Sequence, residues 1–410
     1  MVDVSIVMPC LNERESLAHC IANAQEALEL LATHHGLVGE IVIADNGSTD
    51  GSQEIAAELG ARVAPVSRRG YGAALRGGFE AARGRYLVMG DADGSYDFRD
   101  AVAMVAALAG GADICMGSRF KGGIAPGAMP WKNRYIGNPI LTGVLNLFFR
   151  ASVSDAHCGL RALTRRSFVR LQLCGDGMEF ASEMVVKACL LGLKIAEVPA
   201  TLSPDLRNRP PHLRPWRDGW RHLRFLLLMS PAWLFAAPAA VLGALGAFLM
   251  MGSLVAPLVG LPAAFFGAAW TILGGAMVTL AHQTFLFSLA AQHASIQAGI
   301  RPASAKYRRW SEAFTLERLL IGGALISGAG LLELASVTAF WSAHDFRPLP
   351  HVLPAVLGTT LLAVGFQTMM CGFFVWSMID GRPQVQAQPA AEPAPVPAEA
   401  PSAASARRSA

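Results

Sequence analysis

Residues 225–300 contain no Asp, Glu, Lys or Arg, and only His282 and His293 among them can titrate. No solvated surface tolerates such a run. A membrane-crossing helix needs about 20 mainly apolar residues, so this stretch has room for two. Residues 319–341 and 352–379 have the same character, with Glu333 the one acid among them. An intramembrane carboxylate of this kind is expected to face protein or water, or to snorkel toward the outer interface. The chain is 53% hydrophobic and 16% charged, and this excess of apolar residues is concentrated beyond residue 225. Residues 1–213 mix charge with short apolar runs, as a globular domain does. We therefore expect a bipartite protein: a soluble domain over 1–213, a linking segment over 214–230, and a helical membrane domain over 231–380. Its spans are expected near 232–255, 262–290, 319–341 and 352–379.

Basic residues set the expected orientation. Arg301, Lys306, Arg308 and Arg309 lie between the second and third spans, whereas Arg347 is alone between the third and fourth. Basic loops stay cytoplasmic, which would put both termini and the soluble domain on that side. The opening "MVDVSIVMPC" enters a strand directly, with no basic, cleavable leader expected. The seven cysteines form no Cys-x-x-Cys pair, an expectation of a reducing compartment and no zinc site. Residues 381–410 are Ala/Pro-rich and are expected to be disordered.

Within the soluble part, the apolar runs 4–9, 40–45, 86–90 and 113–117 read as buried strands. Periodic segments at 16–31, 52–59 and 73–82 read as helices between them. Strand–helix alternation predicts a mainly parallel α/β sheet, whose ligands bind beyond the carboxyl ends of the strands. Reading only those ends gives "PCLNE" (9–13), "DNGSTDGS" (45–52), "DADGSYD" (91–97) and "GSRF" (117–120). Four polar motifs at adjacent strand ends predict one cleft. Asp91, Asp93 and Asp97 crowd like charge directly after an apolar strand, and close like charges call for compensation. A solvated acidic loop would supply it with water, and a divalent-cation site with a metal ion.

The ordered set of these motifs resembles family-2 glycosyltransferases. With "GYGAALRGGFEAARGRYLVMGDADGSYDF", "DAHCGLRALTRRSF", "MEFASEM" and "LRPWRDGWRHLRFLL" added, it looks like the dolichol-phosphate mannose synthase group of polyprenyl-phosphate hexosyltransferases. The resemblance covers about residues 3–229. It implies a GT-A-type, Rossmann-like α/β domain, ahead of the about four transmembrane helices that the composition predicts. It further implies inverting transfer of a hexose, mannose or glucose, from a nucleotide sugar of the GDP-mannose or UDP-glucose type to polyprenyl or dolichyl phosphate. By position, Pro9, Asn12, Glu13, Asp45, Asp91, Ala92, Asp93 and Arg207 would bind the donor. Asp91 and Asp93, with Ser95 as a weak third ligand, would hold Mg²⁺ or Mn²⁺. Arg119, Arg134 and Asn138 would seat the acceptor phosphate, with Arg119 counted as catalytic beside Asp91 and Asp93. Asp155, Arg161 and Glu179, with Glu183, would shape the sugar pocket, and Arg209 would share a basic loop with Arg207.

A lipid phosphate is ionised near neutral pH, so its attack needs a cationic seat more than a general base. In the linking segment Arg214, Arg217, Arg221 and Arg224 share one helical face, with Trp216, Trp220, Leu223 and Leu227 beside them. That pattern predicts an interfacial helix on anionic lipid, not a nucleic-acid surface. A processive polysaccharide synthase is disfavoured because Gln-x-x-Arg-Trp is missing. A lipid transporter with a degenerate nucleotide domain is disfavoured by the intact Asp91 and Asp93.

Overall fold

The structure is a computed structural model that describes residues 2–207, 215–256, 258–260, 266–297, 301, 303 and 305–380. Its sheet is built from β1 (Val4–Cys10), β2 (Gly39–Asp45), β3 (Arg62–Pro65), β4 (Tyr86–Met89), β5 (Ile114–Ser118), β6 (Arg161–Thr164) and β7 (Ile195–Pro199). The strand order is β3-β2-β1-β4-β6-β5-β7. All neighbours are parallel except β6, which runs antiparallel between β4 and β5. Helices cover both faces, which explains why the central strands read as unbroken apolar runs. On one face α1 (Arg14–His35) and α4 (Ala101–Ala109) pack against Ile6 and Met8. In α1 the buried residues Leu17, Cys20, Ile21, Ala24, Ala27 and Leu31 recur every three or four positions, and Gly36 ends the helix with φ +63°. On the other face, with α2 (Ser52–Glu58) lying between β2 and β3 in the chain, α3 (Tyr71–Ala81) buries Leu75 and Phe79 against Val7 and Val42.

All four expected strands are present. The sequence reading lacked β3, β6 and β7, none of which is an apolar run. β6 begins with the fully buried Arg161, and β7 contains Glu197. One consequence corrects the cleft's plan: β4 and β5 are not neighbours, because β6 separates them. The register pairs Arg161 with Met89 of β4 and Met116 of β5. The loop preceding β6 therefore reaches the same sheet edge as the motifs after β1, β2 and β4.

Helices α5 (Arg119–Gly122), α6 (Asn138–Phe149), α7 (Arg165–Leu171) and α8 (Phe180–Leu190) complete this part, and α9 (Pro215–Leu228) leads to the membrane domain. The face of α9 that enters the core carries His222 and Leu226, joined by Met229 just beyond its end. Trp220, from the expected apolar stripe, is 60% exposed. Leu223 and Leu227 are half-buried. The expectations for Arg209, Arg214 and the tail fall outside the described residues, as does any statement about the Trp216 side chain.

Among the described residues four helices are long and apolar enough to cross a membrane: Ala232–Val255, Ala268–Gln297, Leu316–Ala343 and Leu353–Ser377. The second runs on past the expected end at 290, because Gln292 and His293 continue the helix that a hydropathy boundary would cut. The basic loop after it forms a short helix, Ala305–Ala313. The soluble and membrane parts meet where Phe148 of α6 stacks on Trp233, with centroids 5.4 Å apart.

Candidate active site

A cleft of about 490 Å³ opens at the carboxyl edge of the sheet. The end of β1 contributes Pro9, Cys10, Leu11 and Glu13, and the turn after β2 contributes Asn46. The start of α3 brings Arg69, Gly70, Tyr71 and Ala74, and the turn after β4 brings Asp91, Ala92 and Asp93. Met178, Arg207 and Arg217 complete the wall. Of the residues expected at the donor, Pro9, Glu13, Asp91, Ala92, Asp93 and Arg207 are thus brought together.

Asp91 accepts a hydrogen bond from the Tyr71 hydroxyl at 2.9 Å. Burial first, and then the charge of Asp93, push Asp91 from 3.8 up to about 7, against the pull of Tyr71, Arg207 and Arg119. Asp93 Oδ1 accepts from the Ser95 amide at 3.0 Å and its hydroxyl at 2.6 Å. Asp93 Oδ2 accepts from Arg207 Nη2 at 2.7 Å. Ser95, expected as a weak metal ligand, here donates to Asp93 through both its amide and its hydroxyl. Asp97 does not join the pair: it bonds Arg99 and Asn23 instead.

The residues fit a divalent cation on one physical ground. Two half-buried carboxylates face one cleft, and Asp91 lacks enough positive charge nearby to stay fully acidic. Among the described residues no three His, Cys, Asp or Glu side chains are grouped so as to hold a metal ion by themselves. Two carboxylates without an all-protein cage suit Mg²⁺ or Mn²⁺, which usually take substrate phosphate and water as remaining ligands.

Several expected site residues hold the cleft together from behind. Asn12, at φ +58°, accepts from the Thr49 amide at 2.8 Å, while its own amide donates to Ser48 Oγ at 2.9 Å. Asp45 is buried and accepts from Gly47 N, Ser48 N and Gln53 Nε2. These two shape the β2 turn, and its next residue, Asn46, lines the cleft. Arg119 is 8% exposed and grips Asp155 through Nε at 2.7 Å and Nη2 at 2.8 Å. Burial alone would raise Asp155, but the Arg119 hydrogen bonds and charge hold it below its ordinary value. Arg161 donates to the carbonyls of Cys158, Ala181 and Ala156, and Glu183 accepts from the Cys174 and Gly175 amides and pairs with Lys187. Glu179 accepts from Gly177 N at 3.0 Å. These contacts make Arg161, Glu179 and Glu183 struts of the wall and not its lining.

Arg134 and Asn138 are not cleft-lining residues. They belong to a segment that exposes Trp131, Tyr135, Ile136 and Ile140. Conversely, Arg69, Tyr71, Met178 and Arg217 line the cleft without having been expected there. Only Arg217 had been singled out, as a lipid-facing residue. The signal for Tyr71 was present in "RRGYGAA", a polar ring opening a small-residue helix, but its partner Asp91 lies on another element.

Residues 5–171 match the family model described as glycosyl transferase family 2, and residues 289–379 that of the glycosyltransferase family 2 C-terminal transmembrane region. The low-salt glycan biosynthesis hexosyltransferase Agl6 of Haloferax volcanii is 38% identical over 378 residues, 92% of this chain and 89% of that protein. A dolichyl-phosphate hexose transferase of the same organism is 27% identical over 48% of this chain and 81% of its own. A dolichol-phosphate mannosyltransferase of Pyrococcus furiosus is 28% identical over 50% of this chain and 58% of its own.

Proposed function

The chain belongs to glycosyltransferase family 2 and is an integral membrane enzyme, and from that premise we propose that it moves a hexose from a nucleoside-diphosphate sugar to a polyprenyl phosphate. The observation that carries this reading is the cleft's charge plan. Acids Glu13, Asp91 and Asp93 share its walls with Arg69, Arg207 and Arg217, and Arg217 is borne by the helix that runs into the first span. A diphosphate with a cation needs both signs of charge, and a lipid phosphate must enter from the membrane side. The dolichyl-phosphate relatives support the lipid acceptor.

In this reading, Asp91 and Asp93 would hold Mg²⁺ or Mn²⁺, whose charge would offset the charge that develops on the leaving diphosphate. Tyr71 and Ser95 fix the two carboxylates. An acceptor phosphate oxygen bonds to the anomeric carbon from the face opposite the leaving group, while the bond from that carbon to the diphosphate oxygen breaks. Lipid phosphate and nucleoside diphosphate exchange places on the sugar, with inversion. Arg217 is the cation placed to meet the incoming phosphate, with Arg134 and Asn138 as outer contacts on the exposed segment. Arg119 acts from behind, through the cleft's field and through Asp155. The soluble domain, and with it both termini, is assigned to the cytoplasmic side by the basic loop after the second span.

A panel of radiolabelled GDP- and UDP-hexoses, offered to the purified protein with polyprenyl phosphate, tests this reading. Label in the lipid fraction that requires both divalent cation and polyprenyl phosphate is expected. Transfer only to a water-soluble acceptor, or none with any donor, overturns it.

A further inference from the structure

We propose that Arg207 is a built-in counter-ion that a divalent cation must displace from Asp93, so that cation loading also frees the strap of residues 202–207 from the cleft floor. The inference rests on the reading of Asp91 and Asp93 as cation ligands. Both oxygens of Asp93 are engaged. Oδ1 is fixed by the amide and hydroxyl of Ser95 two residues on, a local turn that an incoming ligand does not break cheaply. Oδ2 is therefore the oxygen left for a metal ion, and Arg207 Nη2 lies 2.7 Å from it. A divalent cation coordinates at about 2.0–2.1 Å and repels a guanidinium on the same oxygen. The two compete for one seat.

Comparison with the other buried arginines of this domain separates a displaceable contact from a permanent one. Arg161 satisfies Nε, Nη1 and Nη2 with carbonyls, and Arg119 clasps Asp155 with two parallel bonds. Arg207 instead spreads over three acids, Asp93, Asp205 at 3.0 Å and Glu13 at 3.4 Å. Its Nε is buried without a hydrogen-bond partner among the described residues. One cation is shared there among three carboxylates and leaves its Nε unsatisfied, which marks an ion pair that another cation can replace.

The strap lies across the turn that bears the carboxylates. Ser203 N donates to Ser95 O and Leu206 N to Asp93 O, both at 2.9 Å. Leu206 packs onto Gly94, where a Cβ would fall 2.7 Å from its Cδ1. Asp93 is thus held by the strap through its carbonyl as well as its carboxylate. Releasing Arg207 removes the one charged contact among these.

The test is Mn²⁺ titration of the full-length protein in detergent without donor, following the free ion by electron paramagnetic resonance. Arg207→Gln is expected to bind Mn²⁺ about tenfold tighter, as for a seat its competitor otherwise fills most of the time. Arg69→Gln removes another cleft arginine, and its gain is expected to stay within about threefold. In the wild type, saturating Mn²⁺ is expected to speed hydrogen exchange at the Ser203 and Leu206 amides, while β1 amides keep their rates and report an intact fold. Equal or weaker binding by Arg207→Gln, an equal gain in Arg69→Gln, or unchanged exchange in the strap each overturns the proposal. If neither wild type nor variant binds Mn²⁺, with or without added nucleoside diphosphate, the cation reading itself falls. If the wild type binds but Arg207→Gln gains nothing, only the displacement falls.

Discussion

Asp93 can lose its charge without losing its shape, because the Ser95 turn holds Oδ1 whichever atom completes the side chain. Asp93→Asn should therefore fold normally, with a thermal midpoint within a few degrees of the wild type, yet lose about a hundredfold or more in transfer. Wild-type turnover by the variant would remove the carboxylate pair from the reaction. His157 makes a second prediction at this scale, one of pH. Its ring is partly exposed, yet both nitrogens are buried and have no hydrogen-bond partner among the described residues. Burial, then the facing charges of His222 and Arg161, push it down to about 3. An unfolded histidine titrates near 6.5, so between those values the unfolded chain binds the extra proton. The stability that neutral His157 contributes is full above about pH 6.5 and is lost as pH falls, by at most about 1.4 kcal/mol per unit. Thermal midpoints from pH 7.5 to pH 5 should fall more steeply for the wild type than for His157→Phe. Parallel slopes would refute the assignment.

At the scale of elements, α9 divides what had been read as one basic face. Arg217 lines the cleft, whereas Arg221 and Arg224 are exposed farther along the helix. Arg221 and Arg224, changed together to Gln, should impair transfer in anionic bilayers and recover in neutral ones, since each basic residue near such a surface gains about 1 kcal/mol. Arg217→Gln should impair transfer to long-chain and short, water-soluble prenyl phosphates alike. If both variants respond to lipid charge equally, the division is wrong. Strands β1, β2, β4 and β5 were legible because burial on both faces writes an apolar run. β6 was not, since its first residue is an arginine whose charge is met by the carbonyls of Ala156 and Cys158 in the loop before it and of Ala181 in α8. The site divides along the same line. Asp91 and Asp93 stood out because charge follows directly on a buried strand. Asn12 and Asp45 stood at the right strand ends, but spend their side chains on the amides of a neighbouring turn. Sequence position cannot distinguish a side chain that faces the ligand from one that shapes the turn beside it. Arg69 and Met178 reach the cleft only through the packing of α3 and the loop before α8, which no local pattern encodes.

For the whole molecule, the question is how a soluble cleft is mounted on four spans. Two close seams organise them. The first and second spans touch at Gly246 and Gly274, where a Cβ on Gly246 would lie 2.7 Å from the Gly274 carbonyl oxygen. The third and fourth meet along Gly323, Gly330, Gly358 and Gly365, and a Cβ on Gly330 would lie 2.6 Å from Leu362 N. In each case the neighbour is backbone, which cannot swing aside, so a side chain there must separate the helices. Small residues at such seams are what lets spans associate when lipid is as apolar as the side chains. The seams differ in what they carry. Trp233, in the first turn of the first span, stacks on Phe148 of the catalytic domain, and Ser288 of the second donates to the Pro231 carbonyl at 3.1 Å. The cleft is therefore mounted on the first pair, and the second pair braces it through His282 and Thr368, 2.9 Å apart. Gly246→Leu and Gly330→Leu should each destabilise by about 1–3 kcal/mol, as overpacking does, seen as lower thermal midpoints in detergent. At a temperature where both variants stay folded, Gly246→Leu should lose several-fold more transfer to long-chain acceptor, because it tilts the mount itself. Equal losses would show that the second pair positions the cleft as directly as the first.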